Sequence, residues 1–535
     1  MTTANVKQVS MKVNQTNLVK SLKLSFTNKY TFIGEIMQNS RRAGSTYVSF
    51  NYFPDTKILK VTDDGCGIDS IETLLTVAES GWEADVIANE HPFGIGFLSA
   101  LFACKNMTLV SKGGRFSVDT DKVLNFQPVT VYPIDDWDGI TSILMIGVDF
   151  SEKELERLSI GFSIPVLLNG NELLRPHAID SLRDFVKTEI GSICLYGLNK
   201  GDSAYYCRNF VFYLQGLPIY KSRNSNEGNI IHLDSSMFFA RLPDRDKLID
   251  EKEVIEQVMA AVKKQFLTTL NLEKLSLPME QFLSYYEIMS RWNILEVLDD
   301  YEWLPKQAVT IYDDYPNSEP DNFGQYESCP GSHISKEEFL SGRKIFSFDE
   351  YFHDEGSNAF KMFLFNKEYL CCNKNKVSKK HWINQFLIDL DSLSPDIEIQ
   401  GLKSTVYFNG NYASERVRFC DSYSITILGD VATFHDNAMY TGSEFIIPNR
   451  EKSGQVISQF STYMTNYTFQ ESSYNDDCES FRQFVAANKF DNPQDALKAL
   501  MPSFSGCPSV FGKSFVIKIG NQGNVSEVIE QLAVK

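Results

Sequence analysis

Two runs of alternating apolar and polar residues, TYVSFNYFP (46–54) and KILKVTDDG (57–65), predict paired β-strands joined at Pro54-Asp55, residue types that favour a turn. The stretch before them, 31–44, has helical periodicity instead. Ile33, Ile36 and Ala43 fall near one face, and Gly44 supplies a natural stop. A polar lead and a short helix are expected over 13–30. After the strands, the pattern reads as a helix over 70–82, a loop over 83–92, and a helix emerging directly from glycines at GIGFLSALFAC (94–104). More strands are expected at NMTLVSKGGRFSVDT, QPVTVYPI and TSILMIGV. Helices interleaved with hairpin-linked strands predict an α+β fold for residues 1–150, a mixed sheet with helices on one face.

The pattern changes near residue 151. IPVLLNGNELL (164–174) reads as a hairpin around an Asn-Gly turn, strands follow around 205–220 and 228–242, and a long helix begins at Asp250. Residues 151–275 are read as a second α/β domain. Residues 276–535 form a C-terminal mixed α/β region, with strands at STVYFNGNY and SYSITILGD and a helix at DCESFRQFVAAN. The acidic, Pro/Gly/Ser-rich stretch 312–333 reads as loop.

Bulk composition narrows the function classes. The chain has 535 residues, too many for one core, and 43% hydrophobic with 13% aromatic content marks it as globular. No apolar run reaches bilayer length, and the polar start is not a signal peptide, so no membrane role is expected. Ten scattered cysteines without C-x-x-C or zinc spacing read as reduced thiols of a cytoplasmic protein. A net charge of −18 argues against a broad nucleic-acid footprint, which needs Lys and Arg against phosphates, while leaving room for a local basic patch.

Three segments carry candidate chemistry. Glu35 and Asn39, at i and i+4, stand one above the other on an otherwise packing helix. In VTDDGCGI a strand ends at Asp63 and runs into Gly65 and Gly67; in HPFGIGFLSA, Gly94 and Gly96 precede a helix start. A helix N-terminus after glycines offers free N–H groups and a positive dipole end to phosphates. Glycines let the backbone approach a flat ring. A carboxylate at a strand end accepts from an exocyclic amine, an amide oxygen ligates Mg²⁺ beside substrate phosphate, and a nearby glutamate orients or deprotonates water.

In this order and spacing the segments resemble the boxes of the GHKL ATPases, the superfamily of gyrase, heat shock protein 90, histidine kinases and MutL. EIMQNSRRAG resembles the N-box, DDGCGI the first glycine box and FGIGFLSA the second; ESGW through LVSK is similar to the chaperone branch. The resemblance covers about residues 20–150 and implies a Bergerat-type ATP-binding sandwich with ATP and Mg²⁺ as ligands. It implies Glu35 as the water-activating base, Asn39 as the Mg²⁺ ligand, Asp63 on the adenine amine and Gly65 and Gly67 beside the ring. Gly94, Ile95, Gly96 and Phe97 would form the lid hinge and phosphate-facing helix start, and Thr141, in GITSILM, would reach adenine through water. Two departures stand out. His91 replaces the usual first glycine of the second box, and Arg41 and Arg42 stand where many members have a small residue and an aspartate. For these arginines, contact with phosphate or a partner and a solvated helix end both remain open.

The same resemblance reads 151–275 as a transducer-like domain that sends a basic residue to the γ-phosphate. Arg245 and Lys247 are the candidates, against a surface charge cluster with Asp244 and Asp246. It implies an ATPase whose lid closure and ATP-dependent homodimerisation remodel a client, either protein, as in the chaperones, or nucleic acid, as in MutL and MORC-type proteins. The alternative is a nucleotide-sensing module with negligible turnover. A histidine kinase does not fit, because no histidine precedes His91.

Overall fold

A computed structural model describes residues 9–531, apart from 80, 83, 91, 93, 183, 200, 223–226, 313–326, 349–356, 449–454, 461–462, 466–467, 490–491, 502–503, 505 and 522–523. The fold is mixed α+β, and the chain divides into two compact units, Met1–Val297 and Leu298–Lys535. His91 and most of the acidic 312–333 stretch lie outside the described residues.

The first unit opens with α1 (Gln15–Ser25) and α2 (Thr31–Arg42), then β1 (Val48–Phe53) and β2 (Ile58–Asp63). Next come α3 (Ile71–Leu75), α4 (Ala84–Glu90) and α5 (Gly96–Ala103), the hairpin β3 (Asn106–Ser111) and β4 (Gly114–Asp119), α6 (Thr120–Leu124) and β5 (Thr141–Ile146). After α7 (Glu152–Ser159), the hairpin β6 (Val166–Leu168) and β7 (Asn171–Glu172) turns at Asn169 and Gly170, both at positive φ as an Asn-Gly hairpin requires. Its strands do not stand apart. β6 pairs in parallel with β1, completing a seven-stranded sheet in the order β4-β3-β5-β2-β1-β6-β7.

Alternation sets the inner face of this sheet. Val48 and Phe50 of β1, Leu59 and Val61 of β2, Met107 and Leu109 of β3, and Ile143 and Met145 of β5 are all buried, as a period of two demands. Against them pack Phe32, Ile33, Ile36 and Met37 of α2, Leu98 and Leu101 of α5, and Leu155 and Leu158 of α7. Each such side chain contributes roughly 1.5–3 kcal/mol when taken from water.

Three local readings need correction. Of the helix expected over 70–82, only Ile71–Leu75 forms among the described residues, started by the Ser70 side-chain cap on Thr73. The loop expected over 83–92 contains helix α4, whose last residue, Glu90, is fastened by arginines of α2. QPVTVYPI makes no strand among the described residues, only the bridge between Tyr132 and Arg115.

The rest of the first unit is a five-stranded sheet, β11-β10-β12-β9-β8, built from β8 (Val186–Thr188), β9 (Gly191–Cys194), β10 (Phe210–Leu214), β11 (Leu217–Lys221) and β12 (Asn229–Leu233). α8 (Glu251–Ser276) follows, burying Val254, Val258, Val262, Phe266 and Leu270 at intervals of four. Under the sheet, His177 Nδ1 lies 2.8 Å from the Tyr213 hydroxyl, and His232 Nε2 donates to the His177 carbonyl at 2.8 Å. Burial lowers both imidazoles, His177 to about 4 with His232 and Lys221 adding to the effect.

In the second unit, strands 309–312, 327–328, 345–348, 370–373 and 387–389 form a five-stranded mixed sheet. A three-stranded sheet (396–400, 422–427 and 430–434) shares its core. A four-stranded sheet packs with the helix Glu471–Lys489 in a separate core. Fully buried Asp477 of that helix accepts from the backbone N–H groups of Asn411, Tyr412 and Ala413 and from the Tyr463 hydroxyl, closing the turn between two strands.

Candidate functional site

The buried face of the first sheet changes character at one end. On three adjacent strands the last inward position is polar rather than apolar: Asp63 after Leu59 and Val61, Thr141 before Ile143 and Met145, Ser111 after Met107 and Leu109. Asp63 and Thr141 are direct partners in the β2–β5 ladder, and the Ser111 and Thr141 hydroxyls are 2.8 Å apart. Ser111 also accepts from the Ile68 N–H at 2.8 Å, tying down the loop after β2.

Asp63 is 9% exposed. Oδ1 accepts from the Ser45 hydroxyl at 3.0 Å and the Gly65 N–H at 3.1 Å, and Oδ2 accepts from the Ser40 hydroxyl at 3.1 Å. A carboxylate has about four acceptor sites, so Oδ2 keeps one for a ligand. Among the described residues no cation pairs with it. A buried carboxylate held only by neutral donors is an arrangement suited to receiving a further donor.

Above this polar end lies a cavity of 90 Å³ lined by Ile36, Asn39, Ser40, Ala43, Asp63, Gly67, Ile68, Leu74, Trp82, Gly96, Phe97, Thr141 and Ile143. It gathers six of the residues singled out in the sequence: Asn39, Asp63, Gly67, Gly96, Phe97 and Thr141. Gly67 sits at φ +79°, and a Cβ there would come within 2.7 Å of the Trp137 ring. Gly65 serves packing: a Cβ would strike Ala43 and Ser45. Gly94 (φ +65°) is pressed against the backbone of Glu79, and Ile95 is the residue before the first turn of α5. Both flank the cavity wall without lining it.

Glu35 is not on that wall. At about 100° per residue, Ile36, Asn39, Ser40 and Ala43 occupy one flank of α2, and Thr31, Gly34 and Gln38 the other, with Glu35 on the ridge between. The second flank faces a larger cavity of 320 Å³, whose lining includes Glu35, Gln38, Arg157, Tyr213, Gln215 and Arg245. The Glu35 side chain is 8% exposed, and its Oε1 lies 3.0 Å from Nε of Arg245. That N–H points off the acceptor and makes no hydrogen bond, so the contact is an ion pair. On the other side, Oε2 lies so close to Gly96 that a Cβ there would collide with it. Glu35 therefore touches the walls of both cavities.

Of the two basic candidates, the structure brings Arg245 to Glu35 and leaves Lys247 exposed. Asp244 is not part of a surface charge cluster, because it accepts from the Thr27 N–H and hydroxyl and from the Thr31 hydroxyl at the start of α2. The loop carrying these two residues thus holds α2 at its first turn and at Glu35.

Arg41 and Arg42 are not solvated. Arg41 donates to both oxygens of Glu90 and to Gln38 Oε1, and Arg42 Nε donates to Glu90 Oε2 at 2.8 Å. Burial works to raise the Glu90 carboxyl, but its bonds to the arginines outweigh this and hold it below the usual range. The Arg42 side chain is 2% exposed; burial, with Arg245 nearby, lowers its pKa. Gln215, in the turn between β10 and β11, accepts through Oε1 from Arg42 at 3.0 Å and Arg245 at 3.3 Å, and donates to the Glu90 carbonyl. Ser40, Ser45, Ser111, Trp82, Trp137, Gln215 and Glu90 were not among the residues singled out in the sequence. The serines were findable, as small hydroxyl residues beside Asn39, before β1 and at the end of β3. Gln215 carried only the signal of a turn.

Among the described residues, no group of three or more His, Cys, Asp or Glu side chains is gathered for a metal ion, and no helix is long and apolar enough to cross a membrane. No protein-family model matches the chain, and no curated protein matches it.

Proposed function

We propose that residues 1–150 form a Bergerat-type ATP-binding sandwich of the GHKL kind, with a transducer-like region after it, and that the protein binds and hydrolyses ATP. The supporting observation is the polar end shared by three neighbouring strands, with Asn39, Gly67 and Gly96 closing one pocket over it. In this reading Asp63 Oδ2 accepts from the adenine amine, the Ser111–Thr141 pair holds a water on the ring, and Gly67 lets the base approach. The cavity's 90 Å³ is well below the roughly 300 Å³ of a small-molecule site, so its lining, Trp82 included, must move aside as the nucleotide enters.

Asn39 fits the protein's share of a Mg²⁺ site, since this ion keeps several waters and binds few protein groups beside phosphate oxygens. When bound, the ion neutralises phosphate charge. Phosphates leaving the base past Gly96 meet the first turn of α5, whose N–H groups and dipole favour anions. There Glu35 takes the proton of the attacking water as its oxygen joins the terminal phosphorus and the bond to the bridging oxygen breaks. For this, Arg245 must release Glu35 and turn to the terminal phosphoryl. Lid closure then offers surface for an ATP-dependent homodimer acting on a protein or nucleic-acid client. The ten cysteines are thiols not joined in disulfides, in keeping with a cytoplasmic protein.

One observation favours the sensor reading. Glu35 is engaged by a cation, so turnover stays negligible wherever that pair persists. Calorimetry with ADP, GTP and a non-hydrolysable ATP analogue tests binding; failure of every nucleotide at millimolar concentration refutes it. Single-turnover against steady-state phosphate release separates enzyme from sensor. Light scattering with the analogue tests the dimer, and salt-dependent DNA retention separates the two clients.

A further inference from the structure

Arg42 is the most deeply buried of the charged groups around α2, and its counter-ion comes from elsewhere in the chain. A buried guanidinium without an anion costs several kcal/mol. Here the anion is Glu90, the last residue of α4, eight residues beyond the Trp82 that an entering nucleotide must displace. Arg41 grips the same carboxylate, and Gln215 accepts from Arg42 while donating to the Glu90 carbonyl. The end of α4 is thus fastened through its side chain and its backbone.

The arrangement has three guanidiniums and two carboxylates. Arg42 and Arg245 share the oxygen of Gln215, close enough for Arg245 to be felt in the titration of Arg42. Each holds one carboxylate: Glu90 on Arg42, Glu35 on Arg245. The chain of contacts runs from Arg42 through Gln215 and Arg245 to Glu35, which abuts Gly96 on the wall of the smaller cavity. Two adjacent guanidiniums, one buried and one half-buried, with two exchangeable carboxylates match, in charge, a phosphoryl group carrying about two negative charges.

We propose that Glu90 is an internal competitor of the ligand's terminal phosphoryl for Arg42, so that Arg42 and Glu90 together set the preference for a triphosphate over a diphosphate. This rests on the nucleotide reading above. A triphosphate extends past Gly96 far enough to take Arg245 and Arg42, which leaves Glu90 on Arg41 alone and loosens α4. A diphosphate stops short, and α4 stays fastened. No bond is made or broken in the exchange; a carboxylate gives place to a phosphoryl oxygen on the same guanidinium, a substitution that the fork of donors on arginine accommodates.

The test is a double-mutant cycle on the full chain, with affinities for ADP and for a non-hydrolysable ATP analogue measured for wild type, Glu90→Gln, Arg42→Gln and the double variant. Glu90→Gln is expected to tighten the analogue about tenfold and leave ADP unchanged. Arg42→Gln is expected to weaken the analogue at least tenfold, again sparing ADP, and the double variant to behave as Arg42→Gln alone. Without nucleotide, hydrogen exchange over 84–90 should speed up in Glu90→Gln, a readout that does not depend on ligand binding. An unchanged analogue-to-ADP ratio in Glu90→Gln overturns the proposal, as does tightening that persists without Arg42. Wild-type protein that binds neither nucleotide overturns the ATP reading and this inference together, whereas normal ADP binding with an unaltered ratio overturns this inference alone.

Discussion

Replacing Asp63 by asparagine separates the pocket's chemistry from its architecture. Gly65 N–H and the Ser45 hydroxyl both point at Oδ1, so the asparagine keeps its oxygen there and places Nδ2 where Oδ2 was. The Ser40 hydroxyl can rotate to accept from Nδ2, and all three contacts survive in neutral form. The structural loss is then a few tenths to about 1 kcal/mol per contact, roughly 2 kcal/mol in all. The ligand fares worse. The open acceptor site on Oδ2 becomes a donor facing the donor of the adenine amine. Losing a charge-assisted hydrogen bond costs about 1.5–3 kcal/mol, and the donor left opposite another donor adds about 1–3. The sum of about 3–6 kcal/mol is a loss of affinity of roughly 100-fold to 10⁴-fold. Calorimetric titration with ADP, beside urea unfolding of the same samples, measures both quantities. Wild-type affinity in a folded Asp63→Asn protein would refute the reasoning and reduce this aspartate to a clasp for Ser40, Ser45 and Gly65.

Glu35→Gln keeps an acceptor for Arg245 and should retain ATP binding while slowing phosphate release at least ~100-fold, the usual scale for losing a general base; near-normal turnover would remove Glu35 from the mechanism. The His177 pair gives a pH dependence. Because its folded pKa, about 4, lies below the ordinary 6.5, the unfolded chain binds the extra proton between these values, so this stability is complete above pH 6.5 and is lost as pH falls toward 4. His177→Gln should flatten that part of the curve of urea midpoint against pH, and an unchanged slope would place the titrating group elsewhere. Asp477→Ala leaves three N–H groups and the Tyr463 hydroxyl without their acceptor and should cost about 3–5 kcal/mol; a loss below 1 kcal/mol in chemical unfolding would show that water substitutes freely.

Much of the first sheet was legible because apolar residues recur at every second position in β1, β2, β3 and β5. The candidate site was legible for the same reason. Asp63 continues the inward series of Leu59 and Val61, so its placement inside follows from the strand itself. α4 was not legible, since ADVIANE carries no apolar stripe of its own; its attachment comes from Glu90 meeting Arg41 and Arg42, some fifty residues earlier in the chain. The orientation of Glu35 escaped as well. Spacing put it over Asn39, but which cavity it faces depends on Arg245, brought there by a loop more than two hundred residues away. The β1–β6 pairing was hidden because parallel partners carry no local signature: the hairpin turn at Asn169-Gly170 was plain, while its sheet was not.

That pairing also sets an order of events during synthesis. When residue 150 has been added, the outer edge of β1 at Val48–Phe50 still lacks the strand it pairs with, because β6 and β7 end only at Glu172. At about 5–20 residues per second, the ribosome supplies those strands roughly one to four seconds later. Through that interval the nascent chain exposes an open strand edge, the kind on which chains aggregate. A protein truncated at 150 would stay in that condition permanently, whereas one extended through 172 would close its own sheet.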